Sequence, residues 1–359
     1  MPVTFRAATF NMENLFNRAR VLNLQDRNQT TDLLGQIAEL EGLLKKDIYS
    51  SQDKAEILRL SGALSDYIEI REDRAKLFAG RGSKRRVAVS GAGEWDGIMA
   101  YRRARVSDMA RASTAAVVKE LKADVLCTVE VEDRTILSDF NSQMLGSRRF
   151  KYPMLIDAND PRGIDVGILS KFEIVNITTH MFDKDSKGTI FSRDCLEIEL
   201  KLPDGRPLYF LCNHLKSQGY GAKAANDAKR LRQAKRIAEI LSSAYDLSKD
   251  LVIVAGDMND KPGSAALAPL LGLPNLFDVL ELQFSDPADR WTYKYRKQFD
   301  QIDFLLVSKP LKNGFQQATI ERRGLYGIQS ITGDIPFPSV TTPTTAASDH
   351  CAVVAEFAI

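Results

Sequence analysis

The sequence is short of the residues that mark membrane, exported and zinc-binding proteins. No apolar run approaches the roughly 18 residues that a membrane-spanning helix needs. Only 4 cysteines occur among the 359 residues, each in an apolar, strand-like stretch far from the others: Cys127, Cys195, Cys212 and Cys351. Because this spacing fits neither a zinc nor a redox motif, we interpret them as reduced core residues.

A strong charge of either sign is also missing. The 49 Lys and Arg residues nearly balance the 47 Asp and Glu residues, for a net charge of +2. Composition alone therefore requires neither a nucleic acid nor an acidic membrane as partner. The first ten residues, MPVTFRAATF, run directly into an alternating strand pattern without the charged and apolar segments of a signal peptide. We expect a cytoplasmic protein that does not bind membranes.

Hydrophobic patterning predicts a mixed α/β (α+β) protein. Apolar and alternating stretches predict strands at 4–10, 124–129, 164–170, 173–179, 195–202, 207–213, 251–256, 302–307 and 351–358. Helical spacing covers residues 107–122 and 223–245. The turn signal PDG between two of the strands favours antiparallel pairing. We predict sheets that pack on each other, with helices outside.

One long segment follows a different pattern. Residues 30–48 carry apolar side chains at helical spacing, and a second such stripe follows SSQD, which can cap a helix. We interpret 30–78 as a helical hairpin, either packed on the main body or used for self-association or a protein partner. Residues 80–106 are glycine-rich, with seven basic residues against two acidic ones. They form either a solvated flexible loop or a phosphate-backbone contact that includes Arg85 and Arg86.

Polar side chains gather where apolar strands end. The stretch VIVAGDMNDKPGS brings Asp257 and Asn259 to the end of a buried strand. Other such residues are Asn11 and Glu13 in TFNMENLF, Glu130 in CTVEVED, Asn213 and His214 in LCNHLKS, Asp303 in FDQIDFLLVS, and Asp349 and His350 in SDH. Singly, each could belong to a turn. Two of the chain's 3 histidines lie at these junctions, and strand ends on one rim commonly build an active site.

These residue types favour metal-assisted hydrolysis of a phosphoester. Carboxylates and amides supply the oxygen ligands that a hard cation such as Mg²⁺ prefers, and the cation withdraws charge from phosphoryl oxygens. A histidine held by an aspartate can move a proton or stabilise developing negative charge. Zinc fits less well because the histidines and cysteines show no close ligand pairing.

The ordered motifs NMENLF, VEVED, RGIDVGILS, NHLKS, GDMND, QIDFLLVS and SDH resemble those of the endonuclease/exonuclease/phosphatase superfamily, to which pancreatic deoxyribonuclease-like and exonuclease III-like enzymes belong. The resemblance spans residues 5–16 and about 107–358. It implies one catalytic domain over 1–359, built as a four-layer α/β/β/α sandwich of two mostly antiparallel sheets. Residues 17–106 would then be an insertion. The resemblance also implies dependence on Mg²⁺ or Mn²⁺.

The resemblance implies a role for each matching residue of the metal site. Glu130 would be the main metal carboxylate, and Asn11 and Glu13 would orient it and the metal-bound waters. Asp349 would help to hold the metal or a water molecule.

The resemblance likewise implies the catalytic residues. His214 would contact a phosphate oxygen, and Asp257 would position or deprotonate the attacking water with help from Asn259. Asp303 would orient His350 toward the scissile phosphate. Whether His350 or Asp257 is the base stays open.

Substrate identity rests on weaker signals. In RWTYKYRKQFDQIDF, Trp291, Tyr293 and Tyr295 alternate with basic residues, as in an aromatic platform for nucleobases, although cross-strand packing in a surface hairpin would give the same pattern. With the basic 80–106 loop, this favours nucleic acid as substrate, DNA ahead of RNA. The candidate substrate contacts are Arg162, Asn213, Lys216, Trp291, Tyr293, Arg85 and Arg86.

Two other functions stay open. A phospholipid or inositol-phosphate phosphodiesterase or phosphatase would share the fold and chemistry. A catalytically inactive relative would act as a binding module. The insertion after Glu13 leads us to expect restricted substrate access, with strand ends, single strands or a specific structure favoured over plain duplex.

Overall fold

The computed structural model describes residues 2–15, 20–23, 27–72, 76–95, 97–102, 108–160, 163–218 and 222–359. The chain divides into two compact units, one of residues 1–16 with 107–359 and a smaller one of residues 17–106. Among the described residues, no helix combines the length and apolar character needed to cross a membrane.

The described residues form strands β1 (Thr4–Leu15), β2 (Ile68–Arg71), β3 (Phe78–Ala79), β4 (Arg86–Val87), β5 (Ile98–Tyr101), β6 (Val125–Val131), β7 (Tyr152–Leu155), β8 (Asp165–Ser170), β9 (Glu173–Thr178), β10 (Lys184–Asp185), β11 (Gly188–Thr189), β12 (Cys195–Lys201), β13 (Pro207–His214), β14 (Val252–Asp257), β15 (Leu276–Asp278), β16 (Tyr293–Tyr295), β17 (Gln298–Asp300), β18 (Asp303–Ser308), β19 (Phe315–Glu321) and β20 (Ala352–Ala358). The helices are α1 (Arg27–Leu44), α2 (Ser51–Ala63), α3 (Asp108–Leu121), α4 (Arg134–Met144), α5 (Lys223–Ala244), α6 (Ala268–Leu271), α7 (Val279–Gln283), α8 (Lys309–Asn313) and α9 (Gln329–Thr332).

Two six-stranded sheets form the body of the larger unit. The first sheet has the order β19-β20-β1-β6-β8-β7 and the second has the order β15-β18-β14-β13-β12-β9. Each sheet contains one parallel pair, β1 with β6 and β13 with β14, and its other pairs are antiparallel. The prediction of two mostly antiparallel sheets is therefore confirmed.

Strand alternation explains the four layers. In β13, Phe210 and Cys212 point into the core between the sheets, whereas Leu211 between them joins a core with α5. Helices α3 and α4 cover the outer face of the first sheet through residues such as Val117 and Phe140. This arrangement is the predicted α/β/β/α sandwich. All four cysteines are buried and unpaired, as we expected.

The smaller unit has its own core, which contains Ile37 and Leu40 of α1 and Ile57 and Leu60 of α2. A capping box between Ser50 and Asp53 starts α2.

The predicted boundaries of the helical hairpin are wrong beyond α2. That helix ends at Ala63, and β2 pairs with β5 as an antiparallel ribbon. Ile68 and Ile70 alternate with polar residues, a period of two that favours a strand over a helix.

The basic segment 80–106 is not one flexible loop in its described part. Strand β4 pairs with β3, and β5 pairs with β2. The Arg85 guanidinium lies 4.2 Å from the centre of the Phe78 ring. Arg102 donates hydrogen bonds to the Ser65 and Ile68 carbonyls, so part of the basic charge serves local structure.

Candidate active site

Neighbouring strands bring the predicted polar residues to one rim of the sandwich. In the first sheet, Asn11 lies in β1 and Glu130 in the adjacent β6. In the second sheet, Asp257 is in register with His214 on one side and with Asp303 on the other. His214 and Asp257 end their strands and Asp303 begins β18. Asn11 and Glu130 lie where the pairing of β1 and β6 shifts register. The apolar residues behind them stay in the core.

The backbone at this rim is held in unusual conformations. Glu13, Glu130 and Asn259 adopt left-handed conformations with φ of 44°, 60° and 54°. Non-glycine residues seldom adopt this conformation, and such strain concentrates at functional sites. Gly256, just before Asp257, has φ of 136°, and a Cβ there would lie 1.9 Å from the Asn213 carbonyl oxygen. Glycine is therefore required where β14 reaches the rim.

His350 is held by a chain of hydrogen bonds. Its Nδ1 lies 2.9 Å from Asp303 Oδ2, which also accepts a hydrogen bond of 2.7 Å from Thr292 Oγ1. The Thr292 hydroxyl in turn accepts hydrogen bonds from the backbone N–H groups of Ile302 and Asp303. Burial lowers the pKa of His350, but the nearby carboxylates, above all Asp303 and Asp257, raise it well above the ordinary value. We therefore expect a protonated imidazole at neutral pH.

Asp257 lies at the centre of the cluster. Its Oδ2 accepts hydrogen bonds from Asn11 Nδ2 at 3.2 Å and Asn259 Nδ2 at 3.1 Å. The same oxygen lies 3.6 Å from His214 Nε2 and 3.9 Å from His350 Nε2. Burial raises the pKa of Asp257 to about 7, even though His350 opposes the shift. A carboxylate with a pKa near neutrality is suited to accept and release a proton.

A second group of carboxylates lies beside Asp257. Glu13 is exposed at the rim as a whole residue, but its carboxyl group is partly surrounded by protein. This burial, together with the nearby charges of Asp349 and Glu130, raises the pKa of Glu13 to about 7. Burial also raises the pKa of Glu130. Neighbouring carboxylates repel each other when both are ionised, and a cation bound between them offsets this repulsion. Oxygen donors of this kind suit Mg²⁺ and Mn²⁺. The donor set of Glu13, Glu130, Asn11 and Asp349 therefore fits a hard divalent metal.

Another compact trio is less suited to a metal. One potential ligand atom from each of Asp257, Asp303 and His350 lies within 4.8 Å of the others. However, Asp303 has no exposed surface, and its Oδ2 already binds Thr292 and His350. Because Asp303 Oδ2 and His350 Nδ1 already bind each other, we interpret the trio as proton-handling residues.

The candidate substrate residues differ in burial and in position. Arg162 lies outside the described residues. Asn213 is fully buried and donates a hydrogen bond to the Leu211 carbonyl, and its role as a substrate contact stays a prediction. Lys216 is half-buried and lines a cavity of about 490 Å³. Arg85 and Arg86 are exposed and belong to the smaller unit.

Of the predicted aromatic platform, Trp291 belongs to the core. Its ring centre lies 4.2 Å from the Arg322 guanidinium and 5.0 Å from the Phe299 ring centre, and the residue is 8% exposed. Tyr293 packs on His350 instead, with ring centres 4.7 Å apart. Trp291 precedes β16 and contacts both Phe299 of β17 and Arg322 outside the hairpin.

Two residues of the site were missed in the sequence. Thr292 lies between Trp291 and Tyr293 in RWTYKY, and the alternation of aromatic and polar residues there carries no signal for a role of its hydroxyl group. Ser348 donates a hydrogen bond of 2.7 Å to the Asn11 carbonyl and accepts one from the His350 backbone N–H. The serine thus ties the SDH segment to β1, and its position before two predicted site residues was the available signal.

Comparison with known proteins identifies the family of this chain. A model of the Endonuclease/Exonuclease/phosphatase family matches residues 86–320. No curated protein sequence matches the chain.

Several solved structures share the fold. A family protein from Bacteroides thetaiotaomicron has a TM-score of 0.53 and 14% identity, with 99% of this chain and 98% of that chain covered. TDP2 from D. rerio, complexed with single strand DNA product, has a TM-score of 0.50 and 16% identity, and the match covers 71% of this chain and 93% of that chain. A family protein from Beutenbergia cavernae DSM 12333 also has a TM-score of 0.50 and 16% identity, with 69% and 66% covered.

The similarity to these structures establishes the fold, and the match to the family model establishes the family. The family's description names endonucleases, exonucleases and phosphatases, all of which hydrolyse phosphoesters. The matched segment contains more than half of the chain, including Glu130, His214, Asp257 and Asp303. The chain therefore belongs to the endonuclease/exonuclease/phosphatase family of phosphoester-hydrolysing enzymes.

Proposed function

We propose that this protein is a divalent-metal-dependent phosphodiesterase that cleaves nucleic acid, DNA in preference to RNA. The observation that carries the proposal is the placement of Asp257. It lies within hydrogen-bond or close contact distance of Asn11, Asn259, His214 and His350. A structural turn has no need of two amides and two imidazoles around one buried carboxylate.

Glu130, Glu13, Asn11 and Asp349 would hold the metal. When bound, the ion supplies positive charge to the phosphoryl oxygens and the leaving oxygen. These residues come from β1, β6 and the segment just before β20, and the three strands are neighbours in the first sheet.

The raised pKa values suggest a division of labour between the two candidate bases. His350 is expected to be protonated at neutral pH, so its Nε2 donates a hydrogen bond to a phosphate oxygen. Asp257, with a pKa of about 7, accepts the proton of the attacking water, and Asn259 holds its carboxylate in place. His214, at 3.6 Å from Asp257, would contact a second phosphate oxygen.

A cavity of about 490 Å³ next to this cluster supports an anionic substrate such as nucleic acid. In its lining, Arg193 Nε lies 3.0 Å from Asp160 Oδ2, so these two charges offset each other and Lys216 supplies the remaining positive charge. Among structures of this fold, TDP2 from D. rerio was solved with a single-strand DNA product.

A lipid substrate has one observation in its favour. Ile335, in the loop GDIPFPSV, is 74% exposed, and an apolar side chain on a loop can dock on a membrane surface. Sphingomyelin vesicles and inositol phosphates therefore belong in the substrate test.

The test compares purified wild-type protein with the Glu130→Gln and His350→Gln variants, in Mg²⁺ or Mn²⁺. The substrates are supercoiled plasmid, linear duplex, single-stranded DNA, RNA, bis-p-nitrophenyl phosphate, sphingomyelin vesicles and inositol phosphates. We expect DNA cleavage that falls by at least about 100-fold in each variant, the scale of lost acid–base or electrostatic catalysis. Hydrolysis confined to lipid or inositol phosphate would contradict the nuclease proposal, and hydrolysis unchanged in both variants would contradict the site.

A further inference from the structure

A groove of about 420 Å³ lies between α5 and the β10–β11 hairpin, away from the catalytic cluster. Its basic lining residues are Lys184 of the hairpin and Arg232, Lys235 and Arg236 of α5. Three acidic residues also line the groove, so one positive charge remains in its lining.

Ion pairs between α5 and the hairpin region involve two of the four basic residues that line the groove. Arg232 Nε donates to Asp185 Oδ2 at 2.7 Å, and Arg236 Nε donates to Asp183 Oδ2 at 2.7 Å. These bonds join the helix to the hairpin region. Lys184 and Lys235 are exposed and form no ion pair with any described residue. They are the groove's available cations.

The groove adjoins the cavity that contains Arg193 and Lys216. Ile190 lines the groove, and its neighbours Thr189 and Phe191 line the cavity. The Lys229 ammonium donates a hydrogen bond to the Thr189 carbonyl, so a further cation lies between the two.

The cavity in turn adjoins the catalytic cluster through one backbone carbonyl. The oxygen of Leu215 accepts hydrogen bonds from Arg193 Nη1 at 3.2 Å and from Asn259 Nδ2 at 3.1 Å. The cavity therefore joins the catalytic cluster to the groove. Lys216 lines the cavity, Lys229 binds the carbonyl of its lining residue Thr189, and Lys235 lines the groove.

We propose that this groove binds backbone phosphates of the nucleic-acid strand beyond the scissile bond. The inference rests on the proposed function and adds an extended substrate. Lys229, Arg232 and Lys235 follow one another at three-residue spacing on α5, a stripe about 9 Å long at 1.5 Å per residue. Exposed lysines act as mobile point charges, which suits a polyanionic backbone of any sequence.

The first test measures binding without catalysis. Anisotropy of a labelled single-stranded dodecadeoxynucleotide is titrated in EDTA at several salt concentrations. The Lys184→Gln/Lys235→Gln variant is compared with Lys201→Gln/Lys249→Gln, which removes two exposed lysines from elsewhere on the same unit. We expect about tenfold weaker binding and a salt slope shallower by about 1 to 2 for the groove variant only.

The second test measures kcat/KM for the dodecanucleotide relative to a dinucleotide. The ratio should fall by about tenfold in the groove variant, mainly through KM, and match wild type in the control variant. Affinity, salt slope and ratio equal to those of wild type would overturn the groove. If the wild type cleaves neither substrate but its binding still depends on Lys184 and Lys235, the proposed function fails and the groove stands.

Discussion

At the scale of single residues, one oxygen of Asp303 determines which side of His350 can react. Oδ2 binds His350 Nδ1 and the Thr292 hydroxyl together, at 2.9 and 2.7 Å. Because Nδ1 faces this carboxylate, Nε2 is the nitrogen that faces Asp257 and the open rim. Thr292 touches no reacting group, so its role is to position Asp303.

Replacing Thr292 with Val keeps the shape of the side chain and removes the hydroxyl. Asp303 Oδ2 loses a donor, and two buried backbone N–H groups lose their acceptor, which costs about 1–3 kcal/mol for each unsatisfied group. We expect kcat on bis-p-nitrophenyl phosphate to fall by about tenfold with little change in KM, the scale typical of outer-shell partners. Thermal unfolding should show the lower stability.

Thr292→Ser is the matched control, since it restores the hydroxyl. It should recover most of the kcat and the stability. Equal kcat values for the Ser and Val variants would contradict a positioning role for the hydroxyl.

Because the pKa values of Glu13 and Asp257 are raised, we expect metal binding to release protons. Both pKa values are raised to about 7, so in the metal-free protein each group is partly protonated at neutral pH. A divalent cation favours their ionised forms, so its affinity should rise as pH increases from about 6 to 8. Titration calorimetry with Mn²⁺ in two buffers of different ionisation enthalpy measures the proton release.

Glu13→Gln removes one of these groups and should reduce the proton release at pH 7. Lys201→Gln, at an exposed strand end, should leave the release unchanged. Mn²⁺ binding of equal affinity at pH 6 and pH 8 would contradict this account.

At the scale of elements, the sequence predicted the central strands well and the edges poorly. Central strands such as β14 are buried on both faces and read as continuous apolar runs. The edge strand β19, FQQATIE, was missed because its exposed residues are polar and only one face is covered. Similarly, alternation in RWTYKY indicated which residues share a face but not that Arg322 and Phe299 cover Trp291.

The rim itself could be predicted because chemistry-bearing residues follow apolar strands. The hydrogen bonds that organise it could not be predicted, since Thr292 with Asp303 and Ser348 with Asn11 join distant parts of the chain. Such contacts depend on sheet order and register.

Asp278, which caps α7, offers a test of buried charge away from the catalytic rim. Burial raises its pKa to about 6, so its ionised form destabilises the folded state. Relative stability is highest below the unfolded pKa near 4 and is lost as pH rises through about 6. Asp278→Asn should therefore stabilise the protein at pH 8 by about 1–3 kcal/mol and have a smaller effect at pH 5.

The neighbouring side chain can accept this change. Gln301 Nε2 now donates to Asp278 Oδ2 at 2.6 Å, and rotation of the Gln301 amide would present its oxygen to the amide group that the substitution introduces. Denaturant unfolding at pH 5 and pH 8 measures both effects. A variant less stable than wild type at pH 8 would show that the carboxylate is needed as an acceptor.

At the scale of the whole molecule, the candidate chemistry belongs to one of the two compact units. Every predicted catalytic and metal-binding residue lies in residues 1–16 or 107–359. The smaller unit has a separate core that includes Ile37 and Leu60. Each unit therefore has a hydrophobic core of its own.

Replacing residues 17–106 with a flexible Gly/Ser linker should therefore leave a folded protein that still hydrolyses bis-p-nitrophenyl phosphate. We expect its rates on plain duplex DNA to rise relative to single-stranded DNA and strand ends, because the insertion is predicted to restrict access. Circular dichroism checks the fold, and cleavage rates on the three DNA forms give the ratio. A folded, active deletion variant with the substrate range of wild type would contradict the access role, and its oligomeric state would then test the alternative role in self-association.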